Sequence, residues 1–120
     1  MAEHNDLGHK GEHLARLYLE KKGYEILAEN WMERKYELDL IAIDGNEIVF
    51  VEVKTRSTNF FENIEEVLPE KKQHHLIDGA NCYLEKNEID LESRFDFIAI
   101  ELNSNKEVIK HYKSAFSPNF

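Results

Sequence analysis

Tyr36-Glu37-Leu38-Asp39-Leu40-Ile41-Ala42-Ile43-Asp44-Gly45-Asn46-Glu47-Ile48-Val49-Phe50-Val51-Glu52-Val53-Lys54 reads as two β-rich runs joined by a turn, with acids set inside them. Asp and Glu are poor strand formers, so a carboxylate in mid-strand usually has a task or a partner. Side chains of a strand alternate between faces with period two. Leu38, Leu40 and Ala42 then share one face of the first run, and Glu37, Asp39, Ile41 and Ile43 the other. In the second run Val49, Val51 and Val53 share a face; Ile48, Phe50, Glu52 and Lys54 take the opposite one. Asp44-Gly45-Asn46 supplies residues that tolerate positive φ, as a tight hairpin turn demands. That turn pairs Ile43 with Ile48, Ile41 with Phe50, Asp39 with Glu52 and Glu37 with Lys54. Directly paired residues lie on one face. The valine face is therefore wholly apolar, while the other is apolar near the turn and charged at its far end. A slip of one residue would set acids against the valines and is disfavoured.

Like charges directly across a strand pair are destabilising, and a cation between Asp39 and Glu52 would remove that cost. Two carboxylates with carbonyls and waters are the usual donor set of Mg²⁺, a hard ion that keeps much of its hydration. Lys54 reaches the same space and could steady a developing anion or orient a water. The other reading is a salt-bridged sheet end, with Glu37 paired to Lys54 and Asp39 protonated or exposed. The hairpin alone leaves both open.

Working outward, Asp6 is a candidate N-cap for a first helix from about Asp6 to Lys22, with Gly23 as its C′ residue. Leu7, Gly11, Leu14, Ala15, Tyr18 and Leu19 form its apolar arc. Glu12 falls at the border of that arc, where it can point to the charged end of the hairpin. Tyr24 to Ala28 reads as a short strand, with Asn30-Trp31 in a connection and Trp31 packing rather than stacking on a base. Beyond Arg56, the stretch from Ser57 to Phe61 reads as irregular, and Phe60 and Phe61 either hold substrate or cover the core. Pro69 suits the first turn of a second helix, to about Glu85. Leu76, Ile77, Ala80, Tyr83 and Leu84 carry its amphipathic period. Phe95 to Leu102 and Glu107 to Tyr112 read as two last strands about an Asn103-Ser104-Asn105 turn. The order is helix, three strands, helix, two strands. A sheet apolar on one face and half apolar on the other needs cover on both sides, which makes a three-layer α/β arrangement.

An acid followed by Glu-x-Lys on the next strand resembles the PD-(D/E)xK nuclease superfamily, which has the restriction-endonuclease-like fold. The resemblance narrows on Gly11-Glu12, Gly23-Tyr24, Asn30-Trp31, Glu37 to Ala42, Phe50 to Arg56, Lys72-Gln73, Arg94-Phe95-Asp96 and Ser114-Ala115-Phe116. Together they look like the uncharacterised YraN-like bacterial family, itself similar to archaeal Holliday-junction resolvases. Phe-Val-Glu-Val-Lys-Thr-Arg is the specific string; the others are individually weak. The chain departs from the family pattern at Tyr36, where Gly is usual, and at His74 and His75, where basic residues commonly follow Gln73. The resemblance implies a restriction-endonuclease-like core with a mixed central sheet and helices on both faces. It also implies Asp39 and Glu52 as metal ligands, Glu12 as a further ligand, Glu37 as an outer or alternative one, and Lys54 as the catalytic lysine. Arg56, Lys72 and Gln73 are the candidate nucleic-acid contacts.

Composition bounds these readings. One domain spanning residues 1–120 is expected from the length, large enough for a real core. Hydrophobic content of 42% and charged content of 32% fit a globular protein. Cys82 is the single cysteine, and the N-terminus lacks an apolar signal core, which together predict a cytoplasmic protein. No run approaches the ~20 apolar residues of a membrane span. Fifteen Lys and Arg against 24 Asp and Glu give a net charge of −9, which argues against a broad basic groove. His9 and His13 stand i, i+4 on the polar side of the first helix with no Cys nearby and no His-Glu-x-x-His, so zinc is not expected. The expected activity is Mg²⁺- or Mn²⁺-dependent phosphodiester hydrolysis on DNA, with branched or repair intermediates as candidate substrates and a homodimer as a way to pool basic clusters. The competing class is a non-catalytic nucleic-acid or protein-interaction module that keeps the fold. A third is a two-carboxylate glycosidase using Asp39 and Glu52, whose direct pairing is close for that work and leaves Lys54 without a role.

Overall fold

The computed structural model describes residues 2–58 and 64–118. Phe60 and Phe61 lie outside the described residues. Helix α1 spans Ala2–Lys21, strand β1 Glu25–Glu33, β2 Tyr36–Asp44 and β3 Glu47–Arg56. A one-turn α2 (Ile64–Val67) and α3 (Glu70–Lys86) follow, then β4 (Glu92–Leu102) and β5 (Glu107–Phe116). The five strands form one sheet in the order β1-β2-β3-β4-β5, antiparallel throughout except for the parallel pair β3 and β4. The antiparallel steps are short turns. The parallel step needs a crossover, and α3 supplies it.

The valine face is where period-two reading puts it. Val49, Val51 and Val53 are buried with Leu40, Ala42, Ile98 and Ile100 under Ala15 and Leu19 of α1. On the opposite face Ile41, Ile48, Phe50, Phe95 and Phe97 pack with Leu76, Ile77, Ala80 and Tyr83 of α3. One helix lies on each side of a mixed sheet, the three-layer restriction-endonuclease-like arrangement. Removal of this apolar surface from water, at roughly 25 cal/mol per Å², is the main force holding the layers together.

The register near the hairpin is Ile43 with Ile48 and Ile41 with Phe50, about a turn in which Gly45 has φ +64°. The expected faces fail at one point. Leu38 joins the α3-side cluster together with Ile41, three positions along, although strict alternation would separate them. The backbone ladder of β2 and β3 stops at Leu40 and Val51, and the Asp39 Oδ2 atom accepts the Val53 N–H at 2.9 Å instead. A carboxylate that takes a ladder donor competes with the strand's own pairing, and the alternation breaks there.

Three boundaries also differ from expectation. Asp6 is not an N-cap, because α1 already runs from Ala2. Strand β1 does not end at Ala28 but continues through Asn30 and Trp31. A bulge between Ile26 and Ala28 and a left-handed Asn30 at φ 49° hide its period. Trp31 packs edge-on against Tyr83, ring centroids 5.3 Å apart, as a core residue. Strand β5 runs four residues past Tyr112, with its own irregularity opposite Phe95 and Phe97.

Candidate functional site

Where β2 and β3 part company, a cleft of about 450 Å³ opens at the edge of both helix layers. Glu12 of α1, Glu37 and Asp39 of β2, Glu52 and Lys54 of β3, and Lys72 and His75 of α3 line it, with Lys35 from the β1–β2 turn. Five residues singled out from the sequence line it together: Glu12, Glu37, Asp39, Glu52 and Lys54. Lys72 joins them. Gln73 does not line the cleft; its amide donates to the Leu68 carbonyl at 2.8 Å and so ties down the entry to α3. Arg56 is exposed at the end of β3, outside the cleft lining.

Each ligand candidate has a local reason for its position. Gly11 lets α1 approach β3: a Cβ there would lie 1.7 Å from the Thr55 hydroxyl oxygen. That approach brings Glu12 to the cleft. Burial raises the Glu12 pKa above its ordinary value, with a hydrogen bond from Asn30 opposing and the charges of Glu37 and Glu52 adding to the rise. Asn30 is the functional neighbour that sequence reading missed. Asparagine tolerates left-handed backbone better than other non-glycine residues, and that conformation in mid-strand was the signal that could have found it.

Asp39 is held by the Val53 N–H, and its carboxyl sits against that of Glu52. Burial, then the Glu52 charge, pushes the Asp39 pKa up to about 8. Glu52 is buried, at 8% exposure, and its Oε2 receives the Lys72 ammonium at 2.8 Å. Two crowded, desolvated carboxylates flanked by a third raise one another's energy, and a hard divalent cation relieves that. Among the described residues no three His, Cys, Asp or Glu side chains are drawn into a ready-made cage. The set is thus two close carboxylates with Glu12 and Glu37 further out. Such a set suits Mg²⁺, which binds through one or two carboxylates and retains its waters. It does not suit a closed structural site.

A second polar cluster lies at the hairpin end of the sheet. Asp96 is fully buried and accepts from Arg94 Nε at 2.9 Å, from the Ser114 N–H at 3.0 Å, and lies 2.7 Å from His111 Nε2. Arg94 continues to Asp44 at 2.8 Å, Glu47 at 3.0 Å and the Tyr24 hydroxyl at 2.6 Å. Burial tends to raise the Asp96 pKa, but the bonds from His111, Arg94 and Ser114 outweigh it and hold the carboxyl below its usual range. Every oxygen of Asp96 has partners, so the cluster pins β2, β3, β4 and β5 together.

His9 and His13 are exposed on α1 and do not line the cleft, although His9 lies near enough to Glu12 to oppose the rise in its pKa. Among the described residues no helix is long and apolar enough to cross a membrane.

Comparison with known proteins places the chain in one family. Residues 11–100 match the model of the Uncharacterised protein family UPF0102. The chain is 47% identical to a UPF0102 protein of Christiangramia forsetii over 116 residues, 97% of this chain and 98% of the relative. It is 42% identical to one of Bacteroides thetaiotaomicron, with 98% of each chain covered. It is 40% identical to one of Parabacteroides distasonis, with 97% and 96% covered.

Proposed function

The chain belongs to the uncharacterised protein family UPF0102, of the PD-(D/E)xK-like nuclease superfamily, and we propose that it is a Mg²⁺-dependent nuclease hydrolysing phosphodiester bonds in DNA. The observation that carries the proposal is the contact of half-buried Asp39 with buried Glu52, two carboxyls whose charges oppose one another, beside Lys54 in one cleft. A purely structural sheet end would favour apolar residues or matched ion pairs there over two desolvated acids.

Asp39 and Glu52 would hold the cation, with Glu12 and Glu37 available directly or through water. A bound Mg²⁺ polarises a phosphate oxygen and lowers the pKa of its water. The chain's own groups do the rest. The Val53 N–H fixes the Asp39 carboxylate, and Asn30 fixes Glu12. Lys54 lines the same cleft, where its ammonium would orient the attacking water or steady charge on the phosphate. Lys35, Lys72 and His75 at the cleft walls would receive the flanking phosphates.

With a net charge of −9, the protein offers only a short cationic footprint. Affinity for linear duplex should be weak and steeply salt-dependent; branched or single-stranded DNA suits a small site better. Cleavage of duplex, branched and single-stranded DNA panels with Mg²⁺ or Mn²⁺ tests the reading. Activity should need the metal and fall by about 10²-fold or more in Glu52→Gln and Lys54→Ala. No metal-dependent cleavage of any substrate would leave the non-catalytic interaction module as the better account.

A further inference from the structure

We propose that Lys72 is a built-in counterion for the carboxylate site, displaced by a divalent cation and thereby released to bind a substrate phosphate. The proposal rests on the nuclease reading and adds a regulation of the same site. Lys72 Nζ lies 2.8 Å from Glu52 Oε2, and the Glu52 side chain is 9% exposed against 35% for Lys72. A carboxylate so far removed from water needs a partner. Among the described residues Lys72 is the cation ion-paired with Glu52, although Lys54 stands two positions along the same strand.

Lys72 reaches the cleft from the first turn of α3, across from the helix that carries Glu12. Its ammonium and a divalent ion would compete for the same carboxylate oxygens. With both present, three positive charges would crowd Asp39 and Glu52, so the singly charged group leaves. A lysine stem is flexible, and its head can swing by several ångströms without moving the helix. The freed ammonium stays on the cleft wall beside Lys35 and Lys54. In a chain with 15 basic residues and 24 acidic ones, each free cation matters to a polyanion. Metal and nucleic acid then bind with positive coupling, and the metal-free protein keeps its site neutralised and its grip on polyanions weak.

Two measurements test the exchange. Calorimetric titration with Mn²⁺ should give binding about five-fold tighter in Lys72→Met than in the parent, the size of a partly exposed ion pair. Amine labelling with an acetyl N-hydroxysuccinimide ester, read by mass spectrometry, should show Lys72 several-fold more reactive at saturating Mn²⁺, with exposed Lys21 unchanged. Glu52→Gln should raise Lys72 labelling without any metal. The proposal is overturned if Lys72→Met binds Mn²⁺ no tighter than the parent, or if Lys72 labelling stays unchanged when Mn²⁺ binds. A parent protein that takes up no Mn²⁺, while Glu52→Gln still exposes Lys72, would keep the ion pair and defeat the nuclease reading, and the exchange with it.

Discussion

Asparagine at position 39 should make the metal-free protein more stable in alkali and leave it unchanged in acid. The unfolded Asp39 ionises near 3.8; the folded one is pushed up to about 8 by burial and then by the Glu52 charge. Between those values the native state holds a proton that the unfolded chain has released, so stability falls as pH rises. Below the unfolded value both states are protonated and the penalty is absent; above the folded value it is complete. Each pH unit in the interval is worth about 1.4 kcal/mol, which bounds the effect at roughly 6 kcal/mol. Relaxation of the carboxyls and entry of water bring it to about 2–3 kcal/mol at pH 9. Asn keeps an oxygen for the Val53 N–H and carries no charge. In a domain of this size the gain corresponds to roughly 6–12 °C in Tm. Urea denaturation of Asp39→Asn and parent from pH 4 to 9 in a chelator should give curves that coincide near pH 4, separate progressively as pH rises and run parallel above about pH 8. Saturating Mn²⁺ should narrow the gap, since only the parent keeps both carboxylates as ligands. A variant less stable than the parent at pH 9, or two curves parallel over the whole pH range, would refute the crowding argument.

Gly11→Ala should cost about 1–2 kcal/mol, because overpacking against Thr55 outweighs the gain in helix propensity; unchanged denaturation midpoints would mean that α1 does not approach β3 so closely. Thr55→Val should stabilise by about 1 kcal/mol, because the buried Thr55 hydroxyl has no hydrogen-bond partner among the described residues; a loss in Tm would show that it has one. Asp96→Asn should cost about 2–3 kcal/mol by removing a fully buried carboxylate from Arg94 and His111, although Arg94 keeps Asp44 and Glu47; chemical denaturation at neutral pH measures it, and a loss under 1 kcal/mol would show that the cluster carries little of the fold.

Much of the fold was legible because period two is a strong signal. Val49, Val51 and Val53 alternate with residues of the α3 face, and only one register keeps acids off them. The same logic brought Asp39 near Glu52, although the ladder ends one pair short of them, and the boundary position of Glu12 on its helix put it within reach. What was not legible depends on side chains that overrule the backbone. Leu38 lies on the face of Ile41 because Asp39 takes a ladder donor, and periodicity cannot register that competition. The second half of β1 was hidden by a bulge at Leu27 and left-handed backbone at Asn30. The buried cluster joins Arg94 and Asp96 to His111, 15 residues from Asp96 along the chain. Nothing local announces such a pairing. Lys72 was legible as a cation near the site, but its grip on Glu52 crosses from helix to sheet and is set by tertiary packing.

The bond from the Val53 N–H to Asp39 also gives the site a resonance of its own. In a ladder, that amide would report on a neighbouring strand. Here its proton faces a carboxyl oxygen, so its chemical shift and its exchange with solvent deuterium follow the charge of one side chain. Titration of acid, uptake of a diamagnetic ion such as Mg²⁺ and substitution at position 39 should each move the Val53 cross-peak, while the amides of Val49 and Val51, deeper in the same strand, stay still. A nitrogen-15 label is all that is needed to watch the site fill.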